Sequence, residues 1–576
     1  MKKLINDPRF VVRDLIDGLV ATDPTIARLD GQAVILRADI PEDPAQRPVA
    51  LISGGGSGHE PAHAGYVGKG MLTAAVAGDV FTSPSVDAVL AAVTASAGPA
   101  GAVLIVKNYT GDRLNFSLAA EMARAGGIPC EVVFVADDAA LRDLVEPGRR
   151  RGIAGTVLVH KIAGAAAEAG RDLASVAAVA RDAAADLVSM GVGLGPCTVP
   201  TAGTPGFELG PDEIEFGLGI HGEKGVERGA LLPAGQIVER ILDTLAAELG
   251  DRLAGPVALM VNGLGGTPPM ELAIVAGHAL AGLRRRGAQP ELVYVGNFMT
   301  ALEMPGCSLT VLPLRGERAA LLRAPTGVRI WPASAEVGTG RVAAYNAPQT
   351  PLPATEPGPL TPALKAAVVR AADALVAAET YLTDLDSRAG DGDLGASMFR
   401  AAEAMRALPE GAFNDPQILL ASLADALRRA IAGSSGPFYA TALMRAAQQL
   451  AAPQIDDRQP AEAGAVDDAV DDAAWDRAFA AGVGAVGDIG GAKPGDRTMV
   501  DALAPALAAW NAARDGGATA RAALVAAADA AEKGAEATAG MVPRLGRASY
   551  LGARAVGAPD GGAAAVAIWL RALAGK

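Results

Sequence analysis

The chain has 576 residues, half of them apolar and a fifth charged, with a formal net charge of −14. That length exceeds a single hydrophobic core, and the composition excludes a disordered chain. The acidic balance argues against nucleic-acid phosphates as a main partner, and with no run of about twenty uncharged apolar residues no membrane span is expected. Cys130, Cys197 and Cys307 lie far apart without CxxC spacing, so neither a disulfide framework nor a zinc site is expected. The opening Met1-Lys-Lys-Leu-Ile has no signal-peptide stretch, and the expected setting is the cytoplasm.

The first half alternates short β-rich apolar runs with Ala-rich helical stretches. Val49–Ser53, Ala102–Val106 and Glu131–Val135 read as buried strands, as do Val257–Val261, Leu292–Val295 and Leu309–Leu312. Helical segments such as Ala119–Ala125 and Leu173–Val188 between them complete an α/β pattern. The Gly- and Pro-rich stretch near 190–210 is expected to divide residues 1–335 into two lobes. Residues 336–360 contain Pro348, Pro351, Pro353, Pro357 and Pro359 and read as a semi-rigid linker. Thr361-Pro362 resembles a helix start, and residues 361–576 hold Ala/Leu-rich helical segments with almost no β-rich runs. The predicted fold class is multidomain, α/β followed by all-α.

Several motifs carry chemistry. The glycine run Gly54–Gly58 follows a strand and leads into His59-Glu60-Pro61; it fits neither a dinucleotide fingerprint nor a Walker A loop. A plain strand-to-helix turn would explain its glycines but not His59. After the strand ending at Val106 come Lys107 and Asp112, in the place where open α/β sheets contact ligands. His221 stands among Gly217, Gly219, Gly222 and Gly225, which suit close approach by a ligand better than a packed core, and a neutral imidazole nitrogen can add to a ketone carbonyl. Asp386, Asp391 and Asp393 fit no EF-hand, yet aspartates on a helix end and the next turn can converge on Mg²⁺. Around Ser434-Ser435, Gly491–Met499 and Gly546–Leu551, backbone N–H groups and serines in glycine-rich turns can hold phosphate oxygens.

Taken in order, GGGSGHEPAHAGYVGKGM, KNYTGDRLNF, GLGIHGEKG, NFMTALEMPGC, LDSRAGDGDLG, GSSGP, GGAKPGDRTMVDAL and GRASYLG closely resemble the single-chain, ATP-dependent dihydroxyacetone kinases over nearly the whole chain. The resemblance implies a two-lobed α/β substrate domain and an antiparallel helical barrel that binds nucleotide. It implies that His221 holds the ketose as a hemiaminal, inside a pocket formed by Gly56, Ser57, Gly58, His59, Lys107 and Asp112, with His59 and Asp112 as acid–base candidates. Asp386, Asp391 and Asp393 would hold two Mg²⁺ against ATP. Leu394, Gly395, Ala396, Ser397, Ser434, Ser435, Gly491, Met499, Arg547, Asp560, Gly561 and Gly562 would line the nucleotide pocket. The family has proline where Gly561 stands, which weakens the match of that last loop. A homodimer is the family expectation, and some relatives also cyclise a flavin dinucleotide. The competing readings are a kinase for erythrulose or glyceraldehyde, and a ketose sensor or phosphotransferase-system component; three metal-spaced aspartates are superfluous in an inert sensor.

Overall fold

The structure is a computed structural model that describes residues 2–345, 356–433, 435–450 and 472–575, without the side chains of Asp472 and Arg547. Residues 346–355 of the expected linker and the nucleotide candidate Ser434 lie outside the described residues. The chain divides into two compact units, Met1–Ala343 and Ala344–Lys576.

The first unit holds two six-stranded sheets. β1 (Ile26–Arg28), β2 (Val34–Arg37), β3 (Ala50–Ser57), β4 (Ala74–Val80), β5 (Ala102–Lys107) and β6 (Cys130–Val135) pair in the order β1-β2-β4-β3-β5-β6. β3, β4, β5 and β6 are parallel, whereas β1 and β2 add antiparallel at the edge. The second sheet is β7 (Val188–Gly193), β8 (Glu213–Phe216), β9 (Glu227–Ala230), β10 (Gly255–Gly263), β11 (Ala288–Gly296) and β12 (Gly306–Pro313), ordered β11-β10-β12-β7-β8-β9. Only its β10–β11 pair is parallel. The apolar runs read as strands are buried on both faces in β3, β5 and β12, as expected of strands covered on either side by helices.

Two sequence expectations shift. β7 already belongs to the second sheet, so the lobes do not divide at 190–210; that stretch mostly forms the long connection from β7 to β8. Between the two sheets in the chain comes the helix Thr156–Glu168, apolar almost all round. Its Val157, Leu158 and Ile162 share one core with Leu51 and Val103 of the first sheet and Met260 and Leu292 of the second. Nor does a loop begin at Gly54: β3 runs on to Ser57, because glycine lets neighbours close in. A Cβ on Gly54 would lie 2.4 Å from Val76 O, and one on Gly56 would lie 2.5 Å from Thr82 N.

The second unit is helical throughout its described residues. From Thr361–Ala377 to Gly561–Ala574, successive helices pack on their neighbours, and the last returns against the first to close a barrel. Alanines such as Ala372, Ala402, Ala527 and Ala531 let the axes approach closely. A half-open, largely apolar cavity of about 820 Å³ lies among these helices, lined by Trp475, Phe479, Trp510 and Trp569 among others.

Candidate active site

In the first unit, loops of both lobes meet at the end of β3. Ser57 Oγ donates to Gly78 O at 2.8 Å, and Gly58 follows with φ +99°. The connection from β11 to β12 locks onto this turn: Leu302 N donates to Gly58 O at 2.7 Å and Thr300 N to His59 O at 3.1 Å. His59 is fully buried, and burial, with Lys107 nearby, holds its imidazole well below the usual histidine range. The neutral ring lies 2.7 Å from Thr300 O through Nδ1. A carbonyl can only accept, so Nδ1 carries the proton and Nε2 is an acceptor. That Nε2 is buried without a hydrogen-bond partner among the described residues.

His221 reaches the same place from the loop after β8. Its Nδ1 lies 2.8 Å from Glu223 Oε1, and its backbone N–H donates to Glu223 Oε2 at 3.0 Å. Burial would raise the Glu223 carboxyl, but the hydrogen bond and charge of His221 outweigh it and bring the group to about 2. Glu223 is therefore a carboxylate at neutral pH, it only accepts, and in neutral His221 the proton sits on Nδ1 while Nε2 keeps its lone pair. The two rings stand edge to face with centroids 4.9 Å apart; Phe81 stacks on His59 at 5.0 Å and Tyr109 meets His221 at 4.7 Å.

Lys107 ends β5, and Asp112 lies in the first turn of the helix Thr110–Ala125. Both are buried, and Lys107 Nζ and Asp112 Oδ1 have no hydrogen-bond partner among the described residues. Both face Gly55, where a Cβ would come within 2.8 Å of Lys107 Nζ and 3.6 Å of Asp112 Oδ2. Burial lowers the Lys107 ammonium, opposed by Asp112, Glu223 and Glu60. Buried polar atoms of this kind call for a partner, and a polyhydroxylated ligand supplies one.

In the second unit, Asp386, Asp391 and Asp393 each offer an oxygen within 4.8 Å of the other two. Asp386 Oδ2 accepts from Asp393 N at 2.9 Å and Leu394 N at 3.3 Å, which folds the turn back onto the helix end. A Cβ on Gly390 would stand 2.4 Å from Asp386 Oδ1, and Gly392 has φ +76°. Three hard carboxylates, two of them exposed, fit Mg²⁺ by chemistry and spacing. Leu394, Gly395, Ala396 and Ser397 form the first turn of the next helix, whose N–H groups favour an anion.

Other predicted nucleotide residues gather beside this turn. Gly561 opens the last helix so close to Leu394 that a Cβ would lie 2.6 Å from Leu394 Cδ2, and Gly562 abuts Met499. Met499 also lines the barrel cavity. Asp560 caps the last helix through Ala563 N at 2.9 Å. Gly491, with φ +65°, ends the helix Asp472–Gly490, and Ser435 begins another. The Arg547 side chain lies outside the described residues.

Sequence reasoning missed Arg497. It is buried with φ +61°, and its guanidinium donates to Thr538 O, Ala555 O and Ala558 O at 3.2, 2.8 and 2.9 Å. One side chain thus ties the 490s loop to the segment that leads into Asp560. Losing charged hydrogen bonds of this kind costs about 1–3 kcal/mol each. Arg497→Met is expected to lower the melting temperature by several degrees and weaken Mg-ATP binding, with ketose affinity unchanged. Differential scanning calorimetry and nucleotide titration check both. Glu223, Thr300 and Tyr109 were also missed, although each stands inside a motif already singled out.

An α/β unit whose loops converge on buried, unpartnered donors and acceptors, carried in one chain with a helical unit bearing hard oxygen ligands, has the organisation of a small-molecule phosphotransferase. Comparison with known proteins agrees. Residues 17–329 match the Dak1 domain and residues 388–575 the DAK2 domain. Human triokinase/FMN cyclase is 44% identical over 99% of this chain and 98% of its own, and the dihydroxyacetone kinase of Citrobacter freundii is 40% identical over 99% and 98%. The crystal structure of the C. freundii enzyme in complex with AMP-PNP and Mg²⁺ aligns with a TM-score of 0.62 at 36% identity, over 100% of this chain and 99% of that one. The chain belongs to the single-chain dihydroxyacetone kinase family, and it is a kinase.

Proposed function

We propose that this ATP-dependent dihydroxyacetone kinase holds its ketose covalently on His221. The observation that carries the reading is the Nδ1–Glu223 hydrogen bond, which leaves the Nε2 lone pair for the substrate carbonyl. Nε2 forms a bond to C2, the carbonyl π pair moves to oxygen, and that oxygen takes up the proton released from the Nδ1 side. Lys107 and His59 Nε2 hold the hydroxyl groups of the adduct. A terminal hydroxyl then attacks the γ-phosphorus and gives its proton to Asp112, as the bond to the β-phosphate oxygen breaks with its electron pair leaving on ADP. Asp386, Asp391 and Asp393 would hold Mg²⁺, which supplies neutralisation of charge on the transferring phosphoryl group. The first unit is read as the ketose-binding half and the second as the nucleotide-binding half.

A homodimer and a cytoplasmic setting complete the proposal. The first rests on the family; the second is supported by three buried, unpaired cysteines and by the absence, among the described residues, of any helix long and apolar enough to cross a membrane.

The test is Mg²⁺-dependent ADP release with dihydroxyacetone, glyceraldehyde, erythrulose and glycerol. Turnover is expected with dihydroxyacetone and absent with glycerol, which has no carbonyl to tether. Turnover led by erythrulose keeps the mechanism and moves the substrate; turnover with glycerol equal to that with dihydroxyacetone removes the tether.

A further inference from the structure

The loop that carries His221 is gripped by a largely buried ion pair from the segment between β6 and the helix Thr156–Glu168. Asp138 is wholly buried and accepts from Ala140 N at 3.1 Å. Arg151 Nε and Nη2 stand 2.8 and 2.6 Å from Asp138 Oδ2. The same Nη2 donates to Gly217 O at 2.7 Å, at the point where the chain leaves β8 for His221. Arg151 Nη1 reaches the next glycine: a Cβ on Gly219 would lie 2.7 Å from it and 1.9 Å from Glu223 Oε2. Arg151 and Glu223 therefore close on one glycine from two sides, and only hydrogen fits between them.

Buried ion pairs are weak stabilisers, so stability alone gives little reason for one here. A guanidinium does offer a planar fork that can fix several acceptors at once, which an ammonium cannot. We propose that Arg151, anchored by Asp138, is a positioning residue that sets the Gly217–Gly219 backbone and seats Glu223 against His221 Nδ1, and so selects the imidazole tautomer with Nε2 unprotonated. The inference rests on the reading of His221 as the nucleophile.

Arg151→Met alone would strand the buried Asp138 carboxylate, so the informative variant is the pair Asp138→Asn/Arg151→Met, which removes both charges. With histidine ¹⁵N-labelled, the His221 ring nitrogens report the tautomer in the ligand-free protein, and steady-state kinetics and calorimetry report the ketose and Mg-ATP. Wild type is expected to show one tautomer. In the double variant the tautomer shifts average, the dihydroxyacetone KM rises by about tenfold or more, and the Mg-ATP Kd stays within about twofold. A double variant with wild-type circular dichroism, a single tautomer and an unchanged ketose KM would overturn the inference. Should the double variant fail to fold, Arg151→Lys keeps the charge beside Asp138 without the fork; the same spectral change supports the clamp and its absence removes it. Mixed tautomers in wild type overturn the clamp outright, whereas an ordered tautomer with no ketose adduct sinks only the nucleophile reading.

Discussion

His221→Ala is expected to lower kcat/KM for dihydroxyacetone by about 10³-fold or more, equivalent to about 4 kcal/mol of lost transition-state stabilisation. A tethered ketose presents its hydroxyl as part of the enzyme, and without the tether a three-carbon sugar has only a few hydrogen bonds to fix its orientation. Binding of Mg-ATP, assigned to the other unit, is expected to change by less than about twofold. His221→Asn separates chemistry from packing. The amide can still donate toward Glu223, yet it has no basic nitrogen to add to a carbonyl. If this variant keeps most of the activity, His221 only orders its loop. Turnover assays and calorimetric titration of both ligands read the outcome.

Asp393→Asn is expected to lower kcat by at least ~10²-fold, since a metal at a transferring phosphoryl group supplies several kcal/mol of charge stabilisation. The same substitution has a second consequence, of opposite sign. Three carboxylates with oxygens within 4.8 Å of one another repel when no cation lies among them. In EDTA the variant is therefore expected to melt at or above the wild-type temperature. Added Mg²⁺ should raise the wild-type melting temperature and leave that of the variant nearly unchanged, because ligands stabilise only the state that binds them. A variant with reduced activity but a wild-type response to Mg²⁺ would place the ion elsewhere.

Much of the candidate site was legible because its residues occupy distinctive local settings. His59 follows six residues of glycine and serine, Lys107 ends an apolar run, and Asp386, Asp391 and Asp393 fall within eight positions. The residues that orient them were not legible, for two physical reasons. Thr300 contributes a backbone carbonyl to His59, 241 positions away, and a carbonyl has no sequence signature. Arg151 and Arg497 act on backbone oxygens of distant turns, and arginine is common on surfaces, so a buried one looks like any other until the fold is known. The lobe boundary was misread for a related reason. Glycine and proline between 191 and 210 mark a long connection, while the chain passes from one sheet to the other through buried helices that resemble any core helix.

The most direct test of the account is a carbon–nitrogen coupling. Dihydroxyacetone labelled with ¹³C at C2 is added to the enzyme with its histidines ¹⁵N-labelled, and the bound signal is observed with and without ¹⁵N decoupling. A tetrahedral C2 resonance split by one ¹⁵N, present in wild type and absent in His221→Ala, is the predicted result. A bound C2 that keeps its carbonyl shift, or one that shows no ¹⁵N coupling, would contradict the covalent link.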